Sequence, residues 1–178
     1  MKPTAASRVR LERPSARRRD EFLALERKSR ELHRPWVSAP ASPKAYANYL
    51  RQSRRRSSAC FFICREDRTL AAVVNVSEIV GGSFQSAYLG FYAFVPSAGH
   101  GYVREGLGRV LDLMFRGVGL HRMEANIQPA NQRSITLVQR LGFRLEGFSP
   151  CYLKIGGRWR DHERWAILSD EWRRGAAR

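Results

Sequence analysis

Long apolar segments are missing from this sequence of 178 residues, and their absence narrows the classes of protein to which it can belong. No apolar run approaches the roughly 20 residues that a membrane-spanning helix requires. The first residues, MKPTAASRVRLERPSARRRDEF, carry charge but lack the apolar core of a secretory signal peptide. We therefore expect a cytoplasmic protein that has no membrane partner.

Cysteine is also scarce, with three residues at Cys60, Cys64 and Cys151. Three is an odd count, and no Cys-x-x-Cys pair is present, so a disulfide framework or a zinc site is not indicated. Cys60 and Cys64 lie in an apolar run that is typical of a strand, which favours buried thiols. The four histidines show no metal-ligand spacing, and we predict that the protein binds no metal.

Acidic residues are few: the chain has 16 Asp and Glu and 32 Lys and Arg, which gives a net charge of +16 and a pI near 11.1. Many of the basic residues precede Ser57, including Arg17-Arg18-Arg19 and Arg54-Arg55-Arg56. Such a charge attracts polyanions and accelerates their encounter. Nucleic acid or a ribosomal surface is one candidate partner, and a basic surface that only meets solvent is the alternative.

Hydrophobic residues make up 43% and charged residues 27% of the chain, which is ordinary for a globular protein. The length corresponds to about one domain. We predict a single domain over residues 1–178, with frayed ends at 1–8 and 170–178. The pattern contains no linker, internal repeat or low-complexity segment.

Periodicity and turn residues predict an α+β protein. Ser15 and Ser42-Pro43 are typical helix starts, and Pro150 predicts a bend or bulge within its strand. The predicted strands cover residues 9–12, 59–65, 70–78, 85–95, 122–127, 144–155 and 158–168. The predicted helices cover about 16–32, 43–54 and 132–140, with a central helix after residue 101.

The stretch before that central helix has the construction of an anion site. An apolar strand, Tyr88 to Val95, is stopped by Pro96 and followed by the turn Ser97-Ala98-Gly99-His100-Gly101. The first N–H groups of a helix have no partner within it, and the helix dipole favours an anion there. Gly99 and Gly101 carry no side chain that would keep a diphosphate away from those amides. An ordinary turn without a ligand is the alternative.

Downstream residues extend this pattern. A predicted strand ending at Ile127 is followed by Asn131-x-x-Ser134, a predicted helix, and Leu141-Gly142-Phe143. With the glycine turn, this combination resembles the GNAT superfamily of acetyl-CoA-dependent N-acetyltransferases. The tail YLKIGGRWRDH, residues 152–162, resembles the branch that acetylates the N-terminal alanine of ribosomal proteins. The resemblance implies a mixed, mostly antiparallel sheet with helices on both faces, and acetyl-CoA as co-substrate.

The resemblance also implies a set of cofactor contacts. The glycine turn would hold the diphosphate, the strand before it would pair with the pantetheine arm, and Val95 or a neighbour would offer an oxyanion N–H. Ala98 and Val103 depart from the family's usual residues, and Val103 could crowd the helix start. The predicted cofactor residues are Phe94, Val95, Gly99, His100, Gly101, Tyr102, Val103, Asn131 and Ser134.

Two catalytic residues are implied. Ser134 would meet the departing thiolate, since Val138 stands where many relatives have a tyrosine. Glu78 would act as a base through water, although an ordinary surface carboxylate is the alternative. Asn131 could cap its helix as well as bind the cofactor. Glu105 is interpreted as structural.

On the acceptor side, Trp36, Tyr152 and Trp159 are the implied substrate residues, with core packing as the alternative for both tryptophans. We expect acetyl transfer by direct attack in a ternary complex, most simply onto the N-terminal α-amine of a ribosomal protein. A small-molecule amine or amino-acid derivative is the alternative acceptor. A catalytically inactive module that binds RNA or the ribosome is a more remote alternative.

Overall fold

A computed structural model describes residues 7–176, and for residues 173–176 we consider the backbone alone. Its centre is a seven-stranded sheet in the order β1-β2-β3-β4-β5-β7-β6. All neighbours are antiparallel except β4 and β5, which run parallel. The strands are β1 Val9–Glu12, β2 Ala59–Arg65, β3 Leu70–Val80, β4 Ser86–Ala93, β5 Arg122–Ile127, β6 Arg144–Ile155 and β7 Arg158–Leu168.

Five α-helices are present among the described residues: α1 Arg19–His33, α2 Pro43–Gln52, α3 Tyr102–Asp112, α4 Gln132–Arg140 and α5 Ser169–Ala176. Ser42 caps α2 as predicted, since its hydroxyl accepts a hydrogen bond from the Ala45 N–H at 3.2 Å. Ser15 precedes a short 3-10 turn and makes no side-chain capping bond. None of these helices is long and apolar enough to cross a membrane.

Two apolar clusters lie on opposite faces of the sheet. The larger one joins α3 and α4 to the sheet and includes Leu107, Leu111 and Val138. The smaller one joins α1 and α2 to the sheet, with Phe22 and Tyr46 among its buried residues. The predicted fold class, a mixed and mostly antiparallel sheet with helices on both faces, is therefore confirmed.

β4 and β5 separate soon after they meet. They pair only from Ser86 with Arg122 to Tyr88 with Glu124. Beyond that point β5 continues to pair with β7 as far as Ile127, while β4 continues alongside β3. We call the opening between the two parallel strands the β4–β5 gap.

Both ends of the described chain contact the rest of the fold. In α5, the Trp172 indole donates to Asp112 at 2.9 Å and Glu171 accepts from the Leu168 N–H at 2.8 Å. At the other end, Ser7 and Arg8 hold the Glu105 carboxylate. Fraying of residues 1–8 and 170–178 stays a prediction, and residues 1–6 and 177–178 lie outside the described part.

The last hairpin follows the prediction closely. Its register shifts between Ser149 and Leu153, on either side of Pro150. Cys151 adopts a positive φ of 47° there, and its N–H is held by the Asp161 carboxylate at 2.8 Å. Pro150 thus produces the expected bulge, which changes which face the following side chains occupy.

Candidate functional site

The glycine turn exposes the backbone in the way that anion binding requires. Gly99 and Gly101 both adopt φ of 82°, a left-handed conformation that glycine adopts without strain. A Cβ added at Gly99 would meet no atom within 4 Å, so ligand atoms can approach this backbone from that side. Gly101 is the N-cap of α3 and no side chain caps that helix. The first N–H groups of α3 are thus oriented outward for a phosphate.

Side chains around this turn leave its amides accessible. Val103, which we expected to crowd the helix start, instead packs against the larger apolar cluster. Tyr102 lies beneath two guanidinium groups, those of Arg8 and Arg65, at 5.4 and 5.7 Å from its ring. His100 is exposed, and its Nδ1 donates to the Ala98 carbonyl at 2.9 Å. Two guanidinium groups therefore stand beside the uncapped start of α3, although each also pairs with a carboxylate, Arg8 with Glu105 and Arg65 with Asp67.

Glu105, one turn into α3, is structural as expected. Its carboxylate accepts hydrogen bonds from the Ser7 hydroxyl at 2.9 Å and from the Arg8 N–H at 2.7 Å. Burial opposes its ionisation, but these hydrogen bonds dominate and lower the pKa of Glu105. The residue fastens the start of the chain to α3 and does not face the β4–β5 gap.

The main-chain groups of β4 that face the β4–β5 gap are not those of Phe94 and Val95, which we predicted. The Phe94 N–H donates to Ala71 of β3 at 2.9 Å, and the Val95 N–H donates to the buried hydroxyl of Ser29 at 2.9 Å. Val95 therefore has no free N–H for an oxyanion in this structure, because α1 supplies a hydroxyl to that N–H. Antiparallel alternation instead directs the main-chain groups of Phe91 and Ala93 toward the gap.

The start of α4 shows that Asn131 caps its helix. Its Oδ1 accepts the Ser134 N–H at 3.2 Å, which leaves the amide NH₂ of Asn131 for a further partner. Ser134 is half-buried, and its hydroxyl is not part of that capping bond. Val138 is fully buried in the core and cannot reach a ligand. Ser134 therefore keeps a hydroxyl in the first turn of α4, where we predicted a donor to the thiolate.

A concave pocket of about 340 Å³ lies on the opposite face of the sheet, between α2 and the chain that follows α1. Its lining carries no charged side chain: Val37, Ser38, Ala39, Pro40, Ala45, Asn48, Tyr49, Gln52, Asn75 and Tyr92. The Tyr49 hydroxyl donates to Asn75 at 2.9 Å. Trp36 precedes this stretch but does not line the pocket, so it is placed at the margin of the acceptor side.

One hydrogen bond ties the chain after α1 to the segment that follows β5. Gln128 donates from its side-chain amide to the Pro35 carbonyl at 3.2 Å. The pocket lies on the face of the sheet that α1 and α2 cover, and the glycine turn leads into α3 on the opposite face.

Tyr152 and Trp159, both on the last hairpin, are placed differently. The Tyr152 ring lies 6.2 Å from that of His162, and interaction with the Tyr152 phenol, followed by burial, raises the pKa of Tyr88 to about 12. Tyr152 therefore extends over the acceptor face as far as β4. Trp159 stands near the hairpin turn and is 61% exposed, away from the gap.

Glu78 lies beyond the last regular pair of β3, where the register with β4 shifts between Ser77 and Val80. It is exposed and has a positive φ of 49°. Ser77 pairs with Tyr88, the residue at which the β4–β5 gap begins. Glu78 is thus near the closed end of the gap and far from the glycine turn, which follows the other end of β4.

Comparison with known proteins agrees with this geometry. The family model described as "Acetyltransferase (GNAT) domain" matches residues 8–144. The chain belongs to the GNAT acetyltransferase family. It is 32% identical over 156 residues to the [ribosomal protein uS5]-alanine N-acetyltransferase of Escherichia coli K12, a match that covers 83% of this chain and 80% of that protein. GNAT enzymes are N-acetyltransferases that use acetyl-CoA, so the acetyl donor is identified.

Solved structures share the fold at lower identity. Mycobacterium smegmatis RimJ in complex with CoA-disulfide matches with a TM-score of 0.84 and 24% identity, over 95% of this chain and 88% of that one. The spermidine N-acetyltransferase of Vibrio cholerae, in complex with CoA and spermine, matches with a TM-score of 0.79 and 21% identity, over 93% and 98%. These likenesses show the GNAT fold and leave the acceptor to be argued from this chain.

Several polar residues in the site were not singled out from the sequence. Ser29 and His33 come from α1, where a helical pattern assigned them no function; His33 donates from Nε2 to the Ala93 carbonyl at 2.9 Å. Asn126 lies in β5 and has a buried Oδ1 without a partner among the described residues. A polar residue within an otherwise apolar strand is the signal that could have identified Asn126.

Proposed function

We propose that this GNAT enzyme transfers acetyl from acetyl-CoA to the N-terminal α-amine of a protein, with a ribosomal protein as the natural acceptor. The observation that carries the proposal is the uncharged pocket between α2 and the chain after α1, on the face of the sheet opposite α3. A small, neutral first residue such as alanine suits a lining of short apolar and amide side chains. The identity to the uS5-alanine N-acetyltransferase of E. coli supports the same acceptor class.

A polyamine is a poorer fit to this pocket. Spermidine carries several positive charges, and a site that selects it needs carboxylates, since burying an unpaired ammonium is costly. The pocket lining contains no Asp or Glu. The chain as a whole carries a net charge of +16, which repels polycations at long range.

The intrinsic chemistry of the amine also favours an α-amino group. With a pKa of about 7.8, an α-amine is roughly 10–15% neutral at pH 7, whereas a lysine side chain with a pKa near 10.4 is about 0.04% neutral. Only the neutral form attacks a thioester, so an N-terminal acceptor needs little help from a base. A GNAT site whose acceptor pocket has an uncharged lining is therefore better suited to a protein N-terminus than to lysine.

In this proposal the two sides of the sheet have separate roles. The backbone around Gly99 and Gly101 holds the diphosphate, and Asn131 and the main chain of Phe91 contact the pantetheine arm. Ser134 donates to the departing thiolate. The acceptor chain enters over α2 and places its terminal nitrogen in the β4–β5 gap. The basic surface beyond α2, including Arg54 and Arg55, would favour encounter with a ribosomal surface.

The test is a competition between acceptor classes. Purified enzyme and acetyl-CoA are mixed with an Ala-initiated peptide, the same peptide with a blocked N-terminus and an internal lysine, and spermidine, and the products are identified by mass spectrometry. We expect acetylation of the free α-amine and at least about tenfold slower reaction of the other two. Acetylation of spermidine alone would remove the proposal.

A charge variant sharpens this test. Gln52→Glu places a carboxylate in the pocket lining without changing side-chain length. We expect the ratio of spermidine to peptide turnover to rise in this variant, because the added charge attracts the polycation. Gln139→Glu, at an exposed position on α4, adds the same charge outside the pocket and should leave the ratio unaltered.

A further inference from the structure

The acceptor face carries a histidine that the proposed function has not used. On β5, Met123, Ala125 and Ile127 belong to the larger apolar cluster beneath α3 and α4, so Asn126 points to the opposite, acceptor face. On β7, Trp165 and Ile167 belong to the same cluster. His162 therefore shares the acceptor face with Asn126.

His162 and Asn126 are also neighbours across the strands. Asn126 pairs with Arg164, and Ile127 pairs with Glu163. Continuing that register places His162 diagonally opposite Asn126, at a separation that a ring and an amide side chain can bridge. Asn126 lies past the last pair between β4 and β5. The pair of side chains therefore borders the β4–β5 gap from the acceptor side.

Backbone contacts determine which ring nitrogen of His162 carries the proton. Its Nδ1 lies 2.9 Å from the Arg160 carbonyl, which can only accept, so Nδ1 bears the hydrogen. In the neutral ring Nε2 then carries a lone pair, and it makes no hydrogen bond with the residues that the structure describes. The side chain is 3% exposed. A carbonyl-oriented imidazole with a free basic nitrogen has the geometry of a general base.

Two further polar atoms nearby are buried and unpaired among the described residues: Oδ1 of Asn126 and Nε of Arg160, the latter on the same face of β7 as His162. A buried polar atom without a partner lowers stability. An N–H of a bound amine would supply a donor to the Asn126 oxygen and remove that cost. The unpaired Asn126 oxygen therefore indicates a hydrogen-bond donor of a ligand at this position.

We propose that His162 takes the proton from the acceptor amine, while Asn126 holds that amine beside it. The ammonium gives one proton to Nε2, and the neutral nitrogen then forms the C–N bond with the acetyl carbon. As the C–S bond breaks, the second proton leaves the nitrogen and ends on the thiolate sulfur, with Ser134 donating to the sulfur. His162 returns its proton to water, so each turnover releases one net proton.

This inference deepens the proposed function, but it concerns any primary amine that the enzyme acetylates. Turnover of the Ala-initiated peptide by the wild-type enzyme tests the proposed acceptor class, and this test does not depend on the role of His162. The variants are compared on whichever amine the wild-type enzyme acetylates fastest. A wrong acceptor class and a wrong role for His162 therefore give different results.

The first variant is His162→Asn, whose amide NH₂ can replace the Nδ1–H donor to the Arg160 carbonyl but supplies no basic nitrogen. For an α-amine acceptor at pH 7 we expect kcat to fall about tenfold, because only roughly 10–15% of such an amine is neutral without a base. The KM for acetyl-CoA should stay unchanged within about twofold, and the melting temperature should stay near that of wild type. His121→Asn, at an exposed position, is the matched control and should keep full activity. A His162→Asn enzyme with kcat within about threefold of wild type would overturn the proposal.

Two further measurements keep the test decisive if His162→Asn folds poorly. His162→Ala leaves room for added imidazole, and we expect imidazole to restore part of the lost kcat; no recovery in the folded variant would contradict a base role. Asn126→Leu removes an unpaired buried oxygen, so it should melt no lower than wild type. We expect it to raise the acceptor KM at least about tenfold, and an unchanged KM would contradict the amine-holding role.

Discussion

Replacing Gly99 with alanine tests the claim that main-chain amides hold the diphosphate of acetyl-CoA. The new Cβ would project into the open space beside the glycine turn, where no protein atom lies within 4 Å. It would also have to adopt φ near 82°, which costs an L-residue roughly 1–2 kcal/mol. The substitution therefore combines backbone strain, which affects stability, with an obstacle that only a bound ligand meets.

Gly82 allows these two effects to be separated. It lies in the turn between β3 and β4 with φ of 61°, and an added Cβ would also meet nothing within 4 Å. Gly82→Ala should therefore lose similar stability without touching the cofactor side. Gly99→Ala should remove one hydrogen bond between a main-chain amide and the charged diphosphate, which reduces the binding free energy by about 1.5–3 kcal/mol. This loss corresponds to a Kd for CoA that is about tenfold to a hundredfold higher.

The assay is calorimetric titration of CoA into each variant, with thermal unfolding measured alongside. We expect similar melting temperatures for Gly99→Ala and Gly82→Ala but weakened CoA binding only for the former. Equal CoA affinity in the two variants would refute the reasoning, because the amides of the turn would then not be in contact with the ligand.

Three other predictions concern α3 and α4. Gly106→Ala would place a Cβ 2.3 Å from the Cδ1 of buried Ile63, so it should lower the free energy of unfolding by about 1–3 kcal/mol, measured with denaturant. At Gly108 an added Cβ would lie 3.6 Å from the Trp172 ring, so Gly108→Ala should be neutral or stabilising. Equal stabilities of the two variants would contradict the packing argument. Ser134→Ala should lower kcat about tenfold without weakening α4, since the cap bond uses the backbone N–H, and a large loss of melting temperature would point to a structural role. Glu105→Gln should lower the free energy of unfolding at neutral pH, because the wild-type contacts stabilise the ionised carboxylate and lower its pKa. The difference in stability between variant and wild type should vanish as the pH falls below 4.5 and wild-type Glu105 becomes protonated. A difference that persists in acid would refute this.

The local elements of this protein were largely predictable, and specific residues show why. Ser42-Pro43 begins α2 because a hydroxyl cap and a proline without an N–H both suit a helix start. Pro150 interrupts the register of β6 because it cannot donate to the ladder. The glycines at 99 and 101 adopt positive φ because glycine alone does so without strain. Each of these effects acts over a few neighbouring residues.

Other features depended on which distant segments meet. Residues 170–176 are mostly polar, yet they form a helix, and the Trp172 indole finds its partner on α3. The Val95 N–H looked available on β4 until α1 brought the Ser29 hydroxyl to it. Trp36 follows α1 near the acceptor side but lies outside the pocket lining. No local pattern contains this information, because the partners are tens of residues apart.

The sequence by itself determined the elements, the uncapped glycine turn and the family of this protein, because turn residues, hydrophobic periodicity and short motifs act locally. Tertiary structure alone decided that β4 and β5 part after Tyr88 and that an uncharged pocket forms between α2 and the chain after α1. The strand register also decided that His162 and Asn126 lie on the same face of the sheet, on neighbouring strands. Strand order and register bring such residues together, and both follow from how the whole sheet packs between its two layers of helices.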